Sequence, residues 1–187
     1  MTKPPLPRRV ALGFGVTALI APARSPAARI DDAAAEPRAG DLLVFARSGA
    51  VVAPEAMAAA QPPVLAWAME PERRIVRDRS RSGQILLLRV DAGTLSEAEI
   101  PLAANGIVAY SAICTHAGCL VSGWKPAEGH LLCPCHGSVY APALGGRVIA
   151  GPAPRPLPAL PLHMVGGALT IAAGFTARIG GYTGRTD

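Results

Sequence analysis

Four residues in two short segments could bind a metal centre. The segment CTHAGC supplies a thiolate from Cys114 and an imidazole from His116. The segment CPCHGSVY supplies the same two ligand types from Cys133 and His136. Thiolate sulfur and neutral imidazole nitrogen are ligands that proteins use for both iron and zinc. The two mixed segments therefore predict one centre with two sulfur and two nitrogen ligands.

The spacing of these ligands bears on the kind of centre. If a C-x-H loop and a C-x-x-H loop fold face to face, both sulfurs can bind an inner iron and both nitrogens an outer iron of a 2Fe-2S cluster. Two neutral imidazoles carry less negative charge than two further thiolates, and this raises the reduction potential. Two cysteines and two histidines can also bind zinc, but zinc sites usually pair like residues in each loop. The mixed loops favour the iron–sulfur cluster, with a zinc-stapled binding module as the alternative.

The two segments, together with the proline-rich GPAPRPLP that follows them, resemble the Rieske iron–sulfur proteins of respiratory electron transfer. The resemblance is specific over roughly residues 107–158. It is to the iron–sulfur subunit of ubiquinol–cytochrome c reductase and to the small subunit of arsenite oxidase-like complexes. It implies one Rieske-type 2Fe-2S cluster, with Cys114 and Cys133 on the inner iron and His116 and His136 on the outer iron.

The resemblance also implies residues that support the cluster. Ser138 and Tyr140 would donate hydrogen bonds to a bridging sulfide and to a ligand sulfur, which stabilises the reduced state and raises its potential. The alternative is an ordinary turn serine and an ordinary strand tyrosine. A loop that covers the cluster would include Gly151, Pro152 and Pro154.

Two cysteines remain once the ligands are assigned in this way. With Cys114 and Cys133 on iron, a disulfide between Cys119 and Cys135 would use the remaining cysteines and clamp the two ligand loops together. Such a bond implies an oxidising compartment. The alternative is that both residues are small buried thiols.

The N-terminal residues predict export or membrane attachment. Residues 1–23 begin with a basic stretch that lacks acidic side chains and continue into an apolar run. Arg8 and Arg9 directly precede this run, a pattern typical of the twin-arginine route. The run is shorter than the about 20 apolar residues of a spanning helix, so a cleaved signal and a retained anchor both remain open. Residues 24–40, rich in alanine, proline and charge, predict a linker.

Residues 41–187 predict a single all-β domain. Short apolar runs recur between glycine, proline, aspartate and asparagine, which is the pattern of short strands in antiparallel sheets. The predicted strands are 41–47, 63–69, 84–90, 106–113, 162–165 and 168–171, and one brief helix is predicted at 55–60. Because the ligand segments lie between the fourth and the last strands, we expect a Rieske-type antiparallel sheet sandwich with a small cluster-binding subdomain at about 107–158.

The charged residues and the other histidines predict no second site. The net charge is +5, but no basic stripe is interleaved with aromatic residues, so nucleic-acid binding is not expected. Five arginines are expected in a solvated loop, with docking onto an acidic partner as the alternative: Arg73, Arg74, Arg77, Arg79 and Arg81. His130 and His163 are expected on ordinary strands rather than on a metal.

These features predict an electron-transfer subunit with no separate substrate site. The leading hypothesis is the iron–sulfur subunit of a quinol–cytochrome c reductase-like complex on the periplasmic side of a bacterial cytoplasmic membrane. A quinol would be the donor and a c-type cytochrome the acceptor. The alternative is the small relay subunit of a periplasmic molybdenum-type dehydrogenase, which would receive electrons from a dehydrogenase subunit. A terminal ring-hydroxylating oxygenase is disfavoured because its mononuclear iron domain needs more than 187 residues.

Overall fold

The computed structural model describes Met1 and residues 32–181. The predicted leader and the first part of the predicted linker lie outside these residues. The strands are β1 Leu42–Phe45, β2 Val64–Glu70, β3 Ile75–Val76, β4 Ile85–Arg89, β5 Ile107–Ser111, β6 Gly123–Lys125, β7 His130–Cys133, β8 Ser138–Ala141, β9 Arg147–Ala150, β10 Leu162–Val165 and β11 Ala168–Ile171. Within the described part of the chain, no helix has the length and hydrophobicity needed to cross a membrane.

The strands form two antiparallel sheets. The larger sheet has the order β10-β11-β1-β2-β4-β5, with β3 paired to β2, and the smaller sheet has the order β6-β7-β8-β9. The predicted all-β antiparallel fold is confirmed. All six predicted strands are in the larger sheet, whereas the smaller sheet is inserted between β5 and β10 and contains four short strands that were not predicted as such.

Strand β4 is buried on both of its faces and joins the two parts of the fold. Ile85 and Leu87 lie in the core of the larger sheet. Leu86 and Leu88 lie in a second core that also contains Tyr140 of β8. This division follows from the alternation of side chains along a strand, and the uninterrupted apolar run of β4 fits a strand covered on both sides. The second core therefore fixes the smaller sheet against the larger one.

The predicted helix at 55–60 is wrong. The structure has a single 3-10 turn at Pro54–Ala56, and Ala60 adopts a left-handed backbone with φ of 56°. A six-residue helix is too short to offset the cost of nucleation. Pro62 follows closely and disfavours helical backbone in the residue before it.

The prediction of a solvated arginine loop is wrong for Arg77. Its side chain is 1% exposed and forms an ion pair with Asp41 at 2.6 Å. Its guanidinium also donates to the carbonyl of Asp32 at 2.8 Å. A buried charge needs such partners to offset its desolvation. Arg73, in contrast, pairs with Asp32 at 2.6 Å while remaining partly exposed. Sequence spacing did not reveal the partner of Arg77, which is 36 positions away.

Candidate metal centre

Each ligand segment forms a turn that begins at a cysteine and ends at a glycine four residues later. The N–H of Gly118 donates to the carbonyl of Cys114 at 3.0 Å, and the N–H of Gly137 donates to the carbonyl of Cys133 at 3.1 Å. Both glycines have positive φ, 73° and 75°, a conformation that glycine adopts without steric cost. The common C-x-x-x-G spacing was visible in the sequence and could have predicted both turns.

The two turns bring the two predicted histidine ligands together. The ring centroids of His116 and His136 are 4.7 Å apart and the ring planes are nearly perpendicular, at 84°. His136 is exposed, whereas His116 is half-buried. The Nδ1 atom of His116 is buried and has no hydrogen-bond partner among the described residues. An unpartnered buried nitrogen is costly, and a metal ion is one way to satisfy it.

The two predicted sulfur ligands are buried free thiols. Cys114 and Cys133 belong to the same core cluster. Burial alone would raise the pKa of the Cys114 thiol. Hydrogen bonds from the Tyr140 hydroxyl and from the main-chain N–H of His116 nevertheless hold this pKa below its ordinary value. Burial, with the adjacent Cys114 sulfur, raises the pKa of Cys133. One of the two sulfurs is thus predisposed to be the thiolate that a metal requires.

A disulfide joins the two ligand turns. It connects Cys119, at the end of the first segment, with Cys135 inside the second, and their Cα atoms are 6.6 Å apart. The sulfurs of Cys119, Cys133 and Cys135 all lie within 4.8 Å of one another. Since two of these sulfurs form the disulfide, only Cys133 in this group retains a thiol that can bind a metal.

Tyr140 and Ser138 lie beside the buried thiols. The hydroxyl of Tyr140 is 3.1 Å from the sulfur of Cys114 and accepts the N–H of Thr115 at 3.2 Å. Burial, followed by the neighbouring Cys114, raises the pKa of Tyr140 to about 12, so the phenol keeps its proton at neutral pH and can donate it. The hydroxyl of Ser138 is buried and has no partner among the described residues.

The predicted covering loop packs against the second ligand turn. Gly151 has a φ of 86°, and a Cβ atom at this position would lie 2.5 Å from the Cα of Ser138 and 2.6 Å from the carbonyl oxygen of Gly137. Only glycine fits such an approach. Pro152 and Pro154 follow it and are exposed.

Sequence reasoning missed Thr115 and Arg155, which connect the first turn to this loop. Thr115 is fully buried, and its hydroxyl donates to the main-chain carbonyl of Arg155 at 2.7 Å. The same hydroxyl lies 3.2 Å from the hydroxyl of Tyr140. A threonine between two ligands carries no spacing signal that would have distinguished it.

His130 and His163 lie on β7 and β10, as expected.

The groups around the site fit a mixed-ligand iron–sulfur cluster. Two thiols and two adjacent imidazoles are the donors that such a cluster requires. The two unpartnered buried atoms, Nδ1 of His116 and the hydroxyl of Ser138, have the chemistry of a metal ligand and of a hydrogen-bond donor to sulfur.

Comparison with known proteins agrees with this fit. The model of the Rieske [2Fe-2S] domain family matches residues 70–161. The cytochrome bc1 complex Rieske iron-sulfur subunit of Streptomyces lividans is 43% identical over 77 residues, which cover 41% of this chain and 45% of the relative. The putative respiratory nitrate reductase subunit Rieske of Haloferax mediterranei is 45% identical over 69 residues, 37% of this chain and 30% of the relative.

Among solved structures, the plasma membrane Rieske protein of Synechocystis PCC 6803 is similar at 29% identity. The alignment covers 61% of this chain and 89% of that protein, with a TM-score of 0.39. The chain spans less than half the length of the two curated relatives described above.

Proposed function

The chain contains a Rieske [2Fe-2S] domain, and we propose that it carries single electrons through one Rieske-type cluster. In this proposal Cys114 and Cys133 bind the inner iron, and His116 and His136 bind the outer iron. The bound cluster would supply one-electron redox chemistry at a comparatively high potential. The observation that supports the proposal most directly is the meeting of the two ligand turns, with the Nδ1 atom of His116 buried and unpartnered.

The other residues of the site would hold and tune this centre. The disulfide between Cys119 and Cys135 would keep the two turns together. Tyr140 and Ser138 would donate hydrogen bonds to sulfur and so stabilise the extra negative charge of the reduced state. The loop that begins at Gly151 would exclude water from one side.

The cofactor is tested by the metal content and the spectrum of the purified protein. We expect two irons and two acid-labile sulfides per chain, and a rhombic EPR signal with a low average g value after reduction. His116→Ala and Cys133→Ser should abolish this signal, whereas His163→Ala, at an exposed histidine on β10 of the larger sheet, should preserve it. Stoichiometric zinc without the EPR signal, in protein expressed with ample iron, would contradict the proposal.

We further propose that the protein serves a quinol–cytochrome c reductase-like complex, with a quinol as donor and a c-type cytochrome as acceptor. The Streptomyces relative is a subunit of a cytochrome bc1 complex, and this supports the assignment. The alternative is a relay subunit of a molybdenum-type, arsenite oxidase-like dehydrogenase. The similarity to a putative respiratory nitrate reductase subunit supports this alternative. Isolation of the tagged full-length chain from native membranes separates the two, because a cytochrome b should accompany it in the first case and a molybdenum subunit in the second.

We propose that the protein acts on the periplasmic side of the cytoplasmic membrane. Residues 1–23 would serve as the signal or anchor, residues 24–40 as the linker and residues 41–187 as the Rieske domain. A disulfide at the site fits an oxidising compartment. Replacement of Arg8 and Arg9 by lysine should leave the cluster-loaded protein in the cytoplasm if export uses the twin-arginine route. Unchanged export of the double variant would exclude that route.

A further inference from the structure

The chain after β11 runs back toward the first ligand turn. The N–H of Ala172 donates to the carbonyl of Pro161 at 2.8 Å. Thr176 then pairs with Ala159 in both directions: its N–H donates to the Ala159 carbonyl at 2.9 Å, and its hydroxyl accepts the Ala159 N–H at 3.0 Å. Residues 172–181 therefore run antiparallel to the end of the proline-rich loop, and Phe175 within them packs against the core of the larger sheet.

Arg155 fastens the end of this segment. Its guanidinium donates to the main-chain carbonyl of Arg178 at 2.7 Å and to that of Gly180. Its own main-chain carbonyl accepts the hydroxyl of Thr115, the residue directly before His116. One arginine thus connects the covering loop, the C-terminal segment and the first ligand turn.

The segment ends in contact with the backbone of His116. A Cβ atom on Gly181 would overlap the carbonyl oxygen of His116 and would lie 2.9 Å from its carbonyl carbon and 3.0 Å from the Cα of Ala117. Gly181 does not have the positive φ of the preceding Gly180. The close approach to the ligand turn, and not an unusual backbone conformation, therefore requires glycine at position 181.

We propose that residues 176–181 form a strap across the first ligand turn, and that Arg155 is the positioning residue that fastens it. The strap packs against the backbone of His116 and Ala117 and so restrains the first ligand turn. It lies beyond residues 70–161, to which the family match is confined. The inference deepens the proposed function, since it rests on the assignment of His116 as a ligand.

The guanidinium of Arg155 has no acidic partner in its described hydrogen bonds. Burial lowers the pKa of Arg155, and the positive charge of Arg178 adds to this effect. The guanidinium thus occupies an unfavourable environment, and the two carbonyl oxygens of the strap compensate for it. Such a fork matches two adjacent acceptors better than a single ammonium does.

The strap is tested by hydrogen exchange in the metal-free, full-length protein. The amide of Gly118, which donates to Cys114, reports on the turn beneath the strap. We expect Arg155→Ala, which removes two hydrogen bonds to the strap, to speed its exchange about tenfold. Gly181→Ala, whose Cβ would push the strap off the His116 backbone, should speed it as well. Gly174→Ala is the matched control, because no described atom lies within 4 Å of its would-be Cβ.

In the cluster-loaded protein, Gly181→Ala should also speed loss of the visible absorbance during incubation with an iron chelator, while Gly174→Ala should not. This comparison changes no charge, so a change in electrostatics alone cannot explain it. If the Gly118 amide exchanges at the wild-type rate in both Arg155→Ala and Gly181→Ala, the proposed strap is wrong. If Gly181→Ala does not fold, exchange in Arg155→Ala decides alone. Because exchange is measured without a cluster, a failure of the strap is distinguishable from a failure of the proposed cofactor.

Discussion

The phenolic oxygen of Tyr140 lies 3.1 Å from the sulfur of Cys114. Both residues are buried in the core that joins the two sheets, and the same oxygen accepts the N–H of Thr115. Strand β8 therefore reaches the first ligand turn through one side chain. Because the phenol keeps its proton, it can donate to a cysteine thiolate and stabilise negative charge there.

Tyr140→Phe should retain the cluster and lower its reduction potential. A hydrogen bond to a charged group contributes about 1.5–3 kcal/mol, and a tenfold change in a one-electron equilibrium corresponds to about 59 mV. We therefore expect a decrease of roughly 60 mV or more by voltammetry. Tyr110→Phe is the matched control, since the Tyr110 hydroxyl donates to the carbonyl of Pro142 instead. Equal potentials in the two variants would show that Tyr140 does not tune the centre.

Ser138→Ala should act differently on the metal-free and the loaded protein. The Ser138 hydroxyl is buried without a described partner, so its removal should leave the free energy of unfolding of the metal-free protein unchanged or slightly higher. In the loaded protein the same change should lower the potential by tens of millivolts. Ser122→Ala, at an exposed position, should change neither quantity. A destabilised metal-free protein with an unchanged potential would contradict this role.

Removal of the disulfide should weaken both the fold and cluster retention. Its two cysteines are 16 positions apart, and a loop of this length corresponds to about 3 kcal/mol of stabilisation. The double variant Cys119→Ser/Cys135→Ser should unfold at correspondingly lower denaturant concentration and lose its visible absorbance faster under a chelator. Wild-type protein treated with a strong thiol reductant serves as the comparison. Identical rates of cluster loss before and after reduction would show that the bond does not clamp the turns.

The ion pair of Arg77 and Asp41 should determine stability without affecting the potential. Asp41→Asn leaves the guanidinium buried without its counter-charge, which should cost about 3 kcal/mol or more in the free energy of unfolding. Glu70→Gln removes the partner of an exposed arginine pair and should have only a small effect. Both variants should keep the wild-type potential, because Glu70 lies at the end of β2 and Asp41 and Arg77 directly flank β1 and β3 of the larger sheet. Denaturant titration and voltammetry on the same samples provide the two measurements.

The ligand turns and the strands of the larger sheet could be predicted from local sequence. The spacing of cysteine, histidine and glycine determines which donors each turn presents, and steric preferences act over a few residues. The apolar runs of β4 and β5 likewise indicate buried strands without any knowledge of their partners. The short strands of the smaller sheet contain mixed polar and apolar residues, so no apolar run marks them in the sequence. Their pairing is set mainly by the short connections between consecutive strands.

Tertiary structure alone decided the contacts that depend on distant partners. Asp41 reaches Arg77 and Tyr140 reaches Cys114 only because the sheets bring together residues that are 36 and 26 positions apart. Gly181 meets His116 only because the chain after β11 runs beside the proline-rich loop. The free energy of these contacts depends on burial and on precise distance, and neither quantity is encoded by spacing along the chain. The sequence therefore determined the chemistry that the two turns can perform, whereas the fold decided which other residues surround it.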